Sequence, residues 1–309
     1  MSLGYSRPLY LLPFDHRHSY LTGMFHVSPP LTVDQRQAVI DSKRVIYDGF
    51  RQALICGVQS DLAGILVDEE FAADVMRNAT RHGYVTALST EKSGSDEFEF
   101  EYGTAFAKHI ETFRPTFAKA LVRFNPEADA ALNKRQTARL RQLSDYCRSS
   151  GHQFMFELLV PPTEAQKARV LRQSASYDQQ IRPSLVLQAI TTLQDAGVEP
   201  DIWKIEGLDQ RADCEQVVAT ARREGRHGVS CIVLGSAADD AKVARWLEIA
   251  ASVPGFIGFA VGRTTFWNPI ADLLANKSTR EEAVSRIAQR FGEWAAIFEG
   301  AHRSQANVV

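Results

Sequence analysis

Eight short apolar runs punctuate this sequence, at Leu9–Phe14, Gly64–Val67, Val85–Leu88, Phe117–Arg123, Phe154–Val160, Ile202–Ile205, Ser230–Leu234 and Ile257–Val261. Each has the length of a strand, and each is followed by a stretch with helical spacing. Strand and helix patterns in strict alternation predict a parallel sheet, because parallel neighbours need a crossover long enough to hold a helix. Eight such units predict a (β/α)₈ barrel in which the 309 residues form one domain, with the barrel over about 8–300 and a loose tail at 303–309. An open doubly wound sheet would carry a glycine-rich turn after its first strand. That turn here is Asp15-His16-Arg17-His18, and neither GxGxxG nor GxxxxGK[ST] occurs anywhere.

Local signals place some of the connections. The helix after the fourth run is expected to open at Asn125-Pro126, an N-cap with proline at the first helical position. It then puts Leu132, Leu140, Leu143 and Cys147 on one face and stops at Gly151. Further helices are expected over about Pro183–Gly197 and Ala238–Ala251. Thr90–Gly103, with Glu91, Asp96, Glu97, Glu99 and Glu101, is expected to be an acidic loop, and Pro161–Arg182 a second long one.

Composition excludes several classes. An apolar content of 45% suffices for a large core without disulfide or metal staples. Basic and acidic residues nearly balance, 35 against 37, which leaves no footprint for nucleic acid or an anionic membrane. No apolar run approaches the roughly 18 residues of a membrane span. The cysteines, Cys56, Cys147, Cys214 and Cys231, form no CxxC and are scattered, which fits a reducing cytoplasm. His82, His109, His152, His227 and His302 fall at helix or loop positions, so no metal site and no cofactor is expected.

The barrel prediction tells where to look for chemistry, because active sites of this fold form at the C-terminal ends of the strands. Asp15 ends the first run and Asp68 the second; Gly235-Ser236 close the seventh and Gly262-Arg263 the eighth. Lys119, Glu157 and Lys204 lie inside the fourth, fifth and sixth runs. Side chains alternate faces along a strand, so Lys204 shares a face with Ile202 and Glu206, and Lys119 with Arg123, which predicts that two lysines and a glutamate point into one barrel interior. A structural ion pair is one explanation for a lysine there. The other is an amine nucleophile. A free lysine is only about one part in 2,500 neutral at pH 7, and burial beside a second ammonium favours the neutral form. Two lysines and a carboxylate together supply a nucleophile, an electrostatic partner and a proton carrier. The glycine, hydroxyl and guanidinium groups of Gly235, Ser236, Gly262 and Arg263 suit a phosphate. Of His16, Arg17 and His18, Arg17 is the preferred candidate for contacting a substrate carboxylate.

Four stretches also carry a family resemblance: Leu11-Leu12-Pro13-Phe14-Asp15-His16-Arg17, Phe-Glu-Leu-Leu-Val-Pro-Pro at 156–162, Asp-Ile-Trp-Lys-Ile-Glu-Gly at 201–207 and Val-Gly-Arg-Thr-Thr-Phe-Trp at 261–267. Together, over about Leu9 to Phe298, they resemble the 5-dehydro-2-deoxyphosphogluconate aldolase domain that follows a sugar kinase in some inositol-catabolism proteins. More distantly, they are similar to tagatose-1,6-bisphosphate and sulfosugar-phosphate aldolases. The resemblance implies a class I aldolase without metal, in which Lys204 forms the Schiff base, Glu157 is the acid/base carboxylate and Lys119 the assisting ammonium. It further implies that Asp15 handles the substrate hydroxyl and that Ser236, Gly262 and Arg263 clamp a phosphate. No P-loop or sugar-kinase signature precedes Leu9. The implied partner is a phosphorylated sugar. A sugar-phosphate-binding regulatory barrel and a metal-dependent aldolase are the competing readings, and exposed helix faces leave room for a homo-oligomer.

Overall fold

Every apolar run is a strand, with ends within one residue of those expected: β1 Leu9–Pro13, β2 Ala63–Val67, β3 Val85–Ser89, β4 Phe117–Arg123, β5 Gln153–Leu159, β6 Ile202–Glu206, β7 Ser230–Leu234 and β8 Phe256–Ala260. The computed structural model describes residues 3–173, 176–235 and 239–306. The eight strands pair in parallel in chain order and close β8 onto β1. The expected (β/α)₈ barrel is therefore the fold.

Alternation along the strands separates two cores. Outward residues such as Phe156, Trp203 and Val233 meet the ring of helices, while Leu9, Leu11, Leu66, Phe117, Met155, Ile202 and Ile232 plug the interior. One step of two residues along the same inward rows turns the plug into the site. Phe117 is followed by Lys119 on β4, Met155 by Glu157 on β5, and Ile202 by Lys204 on β6. Register aligns Glu157 with Lys204 and Ser89 with Lys119. The barrel is thus apolar below and charged above, and the period of a strand is enough to explain the switch.

Three expectations about connections need correction. The helix after β4 begins at Ala130, not at Asn125-Pro126, because the Asp129 carboxylate accepts from the Ala131 and Leu132 N–H groups at 2.7 and 3.0 Å. Asn125 instead turns the chain, accepting from the Glu127 N–H at 2.9 Å while its amide donates to Pro161 and Gln166. The segment Pro161–Arg182 contains helices at Glu164–Gln173 and Tyr177–Gln180. Of the tail, Arg303–Ala306 extends the last helix, Arg280–Ala306, and 307–309 lie outside the described residues. Gly151 (φ 77°) and Gly197 (φ 81°) do end their helices in the left-handed conformation. The helix expected from Ala238 runs over Asp240–Ala251, capped by Asp239; Ala238 itself lies outside the described residues. Among the described residues, no helix is long and apolar enough to cross a membrane.

Candidate active site

At the C-terminal mouth of the barrel lies a cavity of about 330 Å³, lined by residues that follow or end most of the strands. Its floor is an ionic network centred on Lys119. The Lys119 ammonium, fully buried, contacts Asp15 at 2.7 Å, Glu91 at 2.8 Å and Glu157 at 2.8 Å. Glu157 continues the chain of charge to the Lys204 ammonium at 2.6 Å, and Ser89 donates to Asp15 at 2.7 Å. Lys119, Glu157, Lys204 and Asp15, expected from the sequence, are therefore in contact through one carboxylate–ammonium chain.

The network fixes its own protonation. Burial disfavours the charge on Lys119, but three carboxylates outweigh it and hold its pKa far above the ordinary lysine value. Burial likewise pushes Glu157 up, yet the ammoniums of Lys119 and Lys204 win and leave it below the usual glutamate range. Asp15 lies well below the aspartate range for the same reason, with Lys119, His16 and Lys204 overcoming burial. Lowered carboxyl pKa values stabilise the fold above the unfolded values near pH 4, and that stability is lost as pH falls through the folded ones. Urea unfolding midpoints should accordingly hold between pH 7 and about 5, then drop steeply toward pH 3. A Glu157→Gln variant should show a shallower drop, and equal slopes would contradict the assignment.

Other expected residues have other placements. Asp68 is buried and does not line the cavity. It caps the helix Glu69–Arg81 by accepting from the Phe71 N–H at 2.8 Å, and it pairs with Lys43. Lys43, buried on the helix Val33–Ile55, also donates to the His16 carbonyl at 3.1 Å and so anchors the segment after β1. Arg17 lines the cavity, but its guanidinium is engaged by Glu101 at 2.6 Å and by the Glu91 carbonyl at 2.6 Å. It ties the acidic loop to the Lys119 network. Arg263, by contrast, has no hydrogen bond or ion pair to any described residue. It opens the helix Arg263–Leu274 and lines the cavity with its pKa lowered by burial.

Gly235 and Gly262 line the same side, and a Cβ on Gly262 would meet the Pro13 carbonyl oxygen at 2.2 Å. Glycine there lets the end of β8 approach the end of β1 and leaves a helix N-terminus facing the cavity, a ready anion site. Ser236 lies outside the described residues. The sequence reading missed Ser89, Lys43 and the role of Glu91, which looked like one more charge in a solvated loop. Among the described residues, no cluster of histidine, cysteine and carboxylate side chains is placed to hold a metal ion.

Comparison with solved structures agrees on the fold. A protein from Corynebacterium glutamicum is 17% identical, with 95% of this chain and 88% of that one covered and a TM-score of 0.55. Plasmodium falciparum fructose-bisphosphate aldolase is 12% identical over 98% of this chain and 99% of that one, with a TM-score of 0.63. A Schiff-base-forming fructose-1,6-bisphosphate aldolase is 11% identical over 93% of each chain, with a TM-score of 0.56. At these identities the likeness is one of barrel architecture. No curated protein sequence matches the chain. A family model described as "Uncharacterized protein conserved in bacteria (DUF2090)" spans residues 5–302, and the chain belongs to that family.

Proposed function

We propose that this protein is a class I aldolase that cleaves a phosphorylated keto sugar through a Schiff base on Lys204. The observation that carries the reading is the contact between the Lys204 amine and the Glu157 carboxylate, 2.6 Å, on the floor of a cavity whose rim offers the Arg263 guanidinium, unpaired among the described residues. A buried lysine kept only for stability does not need an adjoining cavity, and a phosphate-binding sensor does not need the amine.

The chemistry follows from the contacts. Glu157 accepts a proton from Lys204 without separating charge, because the two already form an ion pair at 2.6 Å. The neutral amine adds to a substrate ketone, and Glu157 returns the proton to the departing hydroxyl, leaving an iminium. The iminium draws electrons from the bond between its α and β carbons, which breaks as the β-hydroxyl loses its proton. An enamine and an aldehyde result; protonation and hydrolysis of the enamine free the second product. Lys119, held charged by its three carboxylates, keeps Glu157 in place through the cycle. Arg263 and the backbone at Gly235 and Gly262 hold the phosphate, so that binding energy remote from the bond positions the reacting carbons. No step calls for a metal or cofactor.

The substrate that best matches the sequence resemblance is 5-dehydro-2-deoxygluconate 6-phosphate, which would give dihydroxyacetone phosphate and malonate semialdehyde. Incubation with dihydroxyacetone phosphate and borohydride should add a reduced adduct to Lys204, found by peptide mass analysis; an unmodified Lys204 would sink the proposal. A coupled assay with this acid, tagatose 1,6-bisphosphate and fructose 1,6-bisphosphate then ranks the substrates. Binding of dihydroxyacetone phosphate with no cleavage of any of them would favour a regulatory barrel. Arg263→Ala should raise KM for the phosphorylated substrate about 10- to 100-fold, the range expected for losing a charged hydrogen bond, with a much smaller change in kcat.

A further inference from the structure

The cleavage step needs a base for the β-hydroxyl and later an acid for the enamine carbon, and the carboxylates on the floor are committed elsewhere. Asp15 is pinned by Lys119 at 2.7 Å and by Ser89 at 2.7 Å, Glu91 and Glu157 each sit 2.8 Å from the same ammonium, and Glu157 already serves Lys204. His16 is different. It follows Asp15 directly and lines the cavity, yet neither of its ring nitrogens hydrogen-bonds a described residue, and Nδ1 is buried without a partner. Its position is fixed all the same. Lys43 holds its carbonyl at 3.1 Å, and its ring packs edge-on against Phe266 with centroids 5.9 Å apart. A buried polar nitrogen without a partner is costly, so a rigid, unpartnered imidazole in this cavity points to a partner that arrives with the ligand.

We infer that His16, rather than Asp15, takes the β-hydroxyl proton during cleavage and returns it to the enamine carbon. This rests on the Schiff-base reading of Lys204. In the first step a ring nitrogen of His16 bonds the hydroxyl proton. The O–H pair becomes the aldehyde C=O, the α–β pair becomes the enamine C=C, and the iminium π pair returns to nitrogen. In the second step the imidazolium N–H breaks, its proton bonds the enamine carbon through the C=C pair, and the iminium forms again for hydrolysis by water. His16 ends the cycle neutral, as it began. Asp15 supplies the counter-charge while the ring is positive.

The surroundings suit this cycle. The charged groups facing the ring are Asp15 after β1, Glu157 on β5, Lys204 on β6 and Arg263 after β8. Burial, together with Arg263 and Lys204, pushes the imidazole down to about 4 against the pull of Asp15 and Glu157, so the free protein holds a neutral base. A phosphate dianion on Arg263 removes one of the depressing charges, so the base strengthens when substrate is bound.

The test separates His16 from Lys204. With dihydroxyacetone phosphate in heavy water, wild-type protein should exchange the carbon-bound proton of the ligand and should also be trapped by borohydride. His16→Gln should still be trapped at Lys204, while exchange and cleavage fall about 100-fold or more, the usual range for losing a general acid or base. Trapping of both proteins with exchange at the wild-type rate would overturn the role of His16 alone. Failure of the wild type to be trapped would overturn the Schiff-base reading and this role together. Should His16→Gln misfold, imidazole nitrogen NMR on the wild type decides. His16 should be neutral at pH 7, and its pKa should rise when inorganic phosphate is added; no movement would count against the proposal.

Discussion

Lys204→Met should abolish borohydride trapping and lower cleavage by about 10⁴-fold or more, because an apolar side chain offers no lone pair to the ketone. The substitution is informative because the fold should survive it. Methionine nearly matches lysine in length and adds no buried charge, and Glu157 keeps its second partner, Lys119, at 2.8 Å. Circular dichroism and the urea midpoint should stay close to wild type while the adduct is lost. If activity persisted, the amine would be structural and Glu157 its ion-pair partner only.

Lys119→Met should have the larger effect on stability. It removes the charge shared by Asp15, Glu91 and Glu157 and leaves three buried carboxylates facing the single ammonium of Lys204. Breaking a buried pair from one side costs about 3–5 kcal/mol, a large part of the roughly 5–15 kcal/mol that holds a domain folded. The pH dependence should change sign. In wild type, acidification removes stability because these carboxyl groups are held low. In the variant, burial and mutual repulsion raise them above their unfolded values, so folding takes up protons and the gap to wild type narrows toward pH 5. Replacing Glu91 by glutamine in the same variant should recover part of the loss. Equal urea midpoints for wild type and Lys119→Met at pH 7 would show that the network is solvated in solution.

Much of this was legible in the sequence, for identifiable reasons. A parallel barrel buries its strands on both faces, so each strand appears as an apolar run, and its ends need no tertiary information. Lys119, Glu157 and Lys204 stood out because a charge between apolar neighbours inside such a run has nowhere to go but the interior. Glu91 lacked that contrast. It sits among four other acidic residues of Thr90–Gly103, and only the pairing of Ser89 with Lys119 brings it inward. Asp68 ended its run as Asp15 did, yet it caps the next helix and pairs with Lys43, a residue 25 positions away on an amphipathic helix. The Asn125-Pro126 signal lost to Asp129, whose carboxylate reaches two N–H groups of the helix it opens.

The charge count of the floor has a consequence for how a ligand enters. Three carboxylates, Asp15, Glu91 and Glu157, stand against two ammoniums, Lys119 and Lys204, and the surplus of one negative charge persists when the Lys204 proton passes to Glu157. A doubly charged phosphate is therefore repelled from the bottom and drawn to Arg263 at the rim. On the aldolase function proposed above, the cavity would be a polarised slot that admits a sugar phosphate in one direction only, carbonyl inward and anion outward, before any shape-specific contact is made.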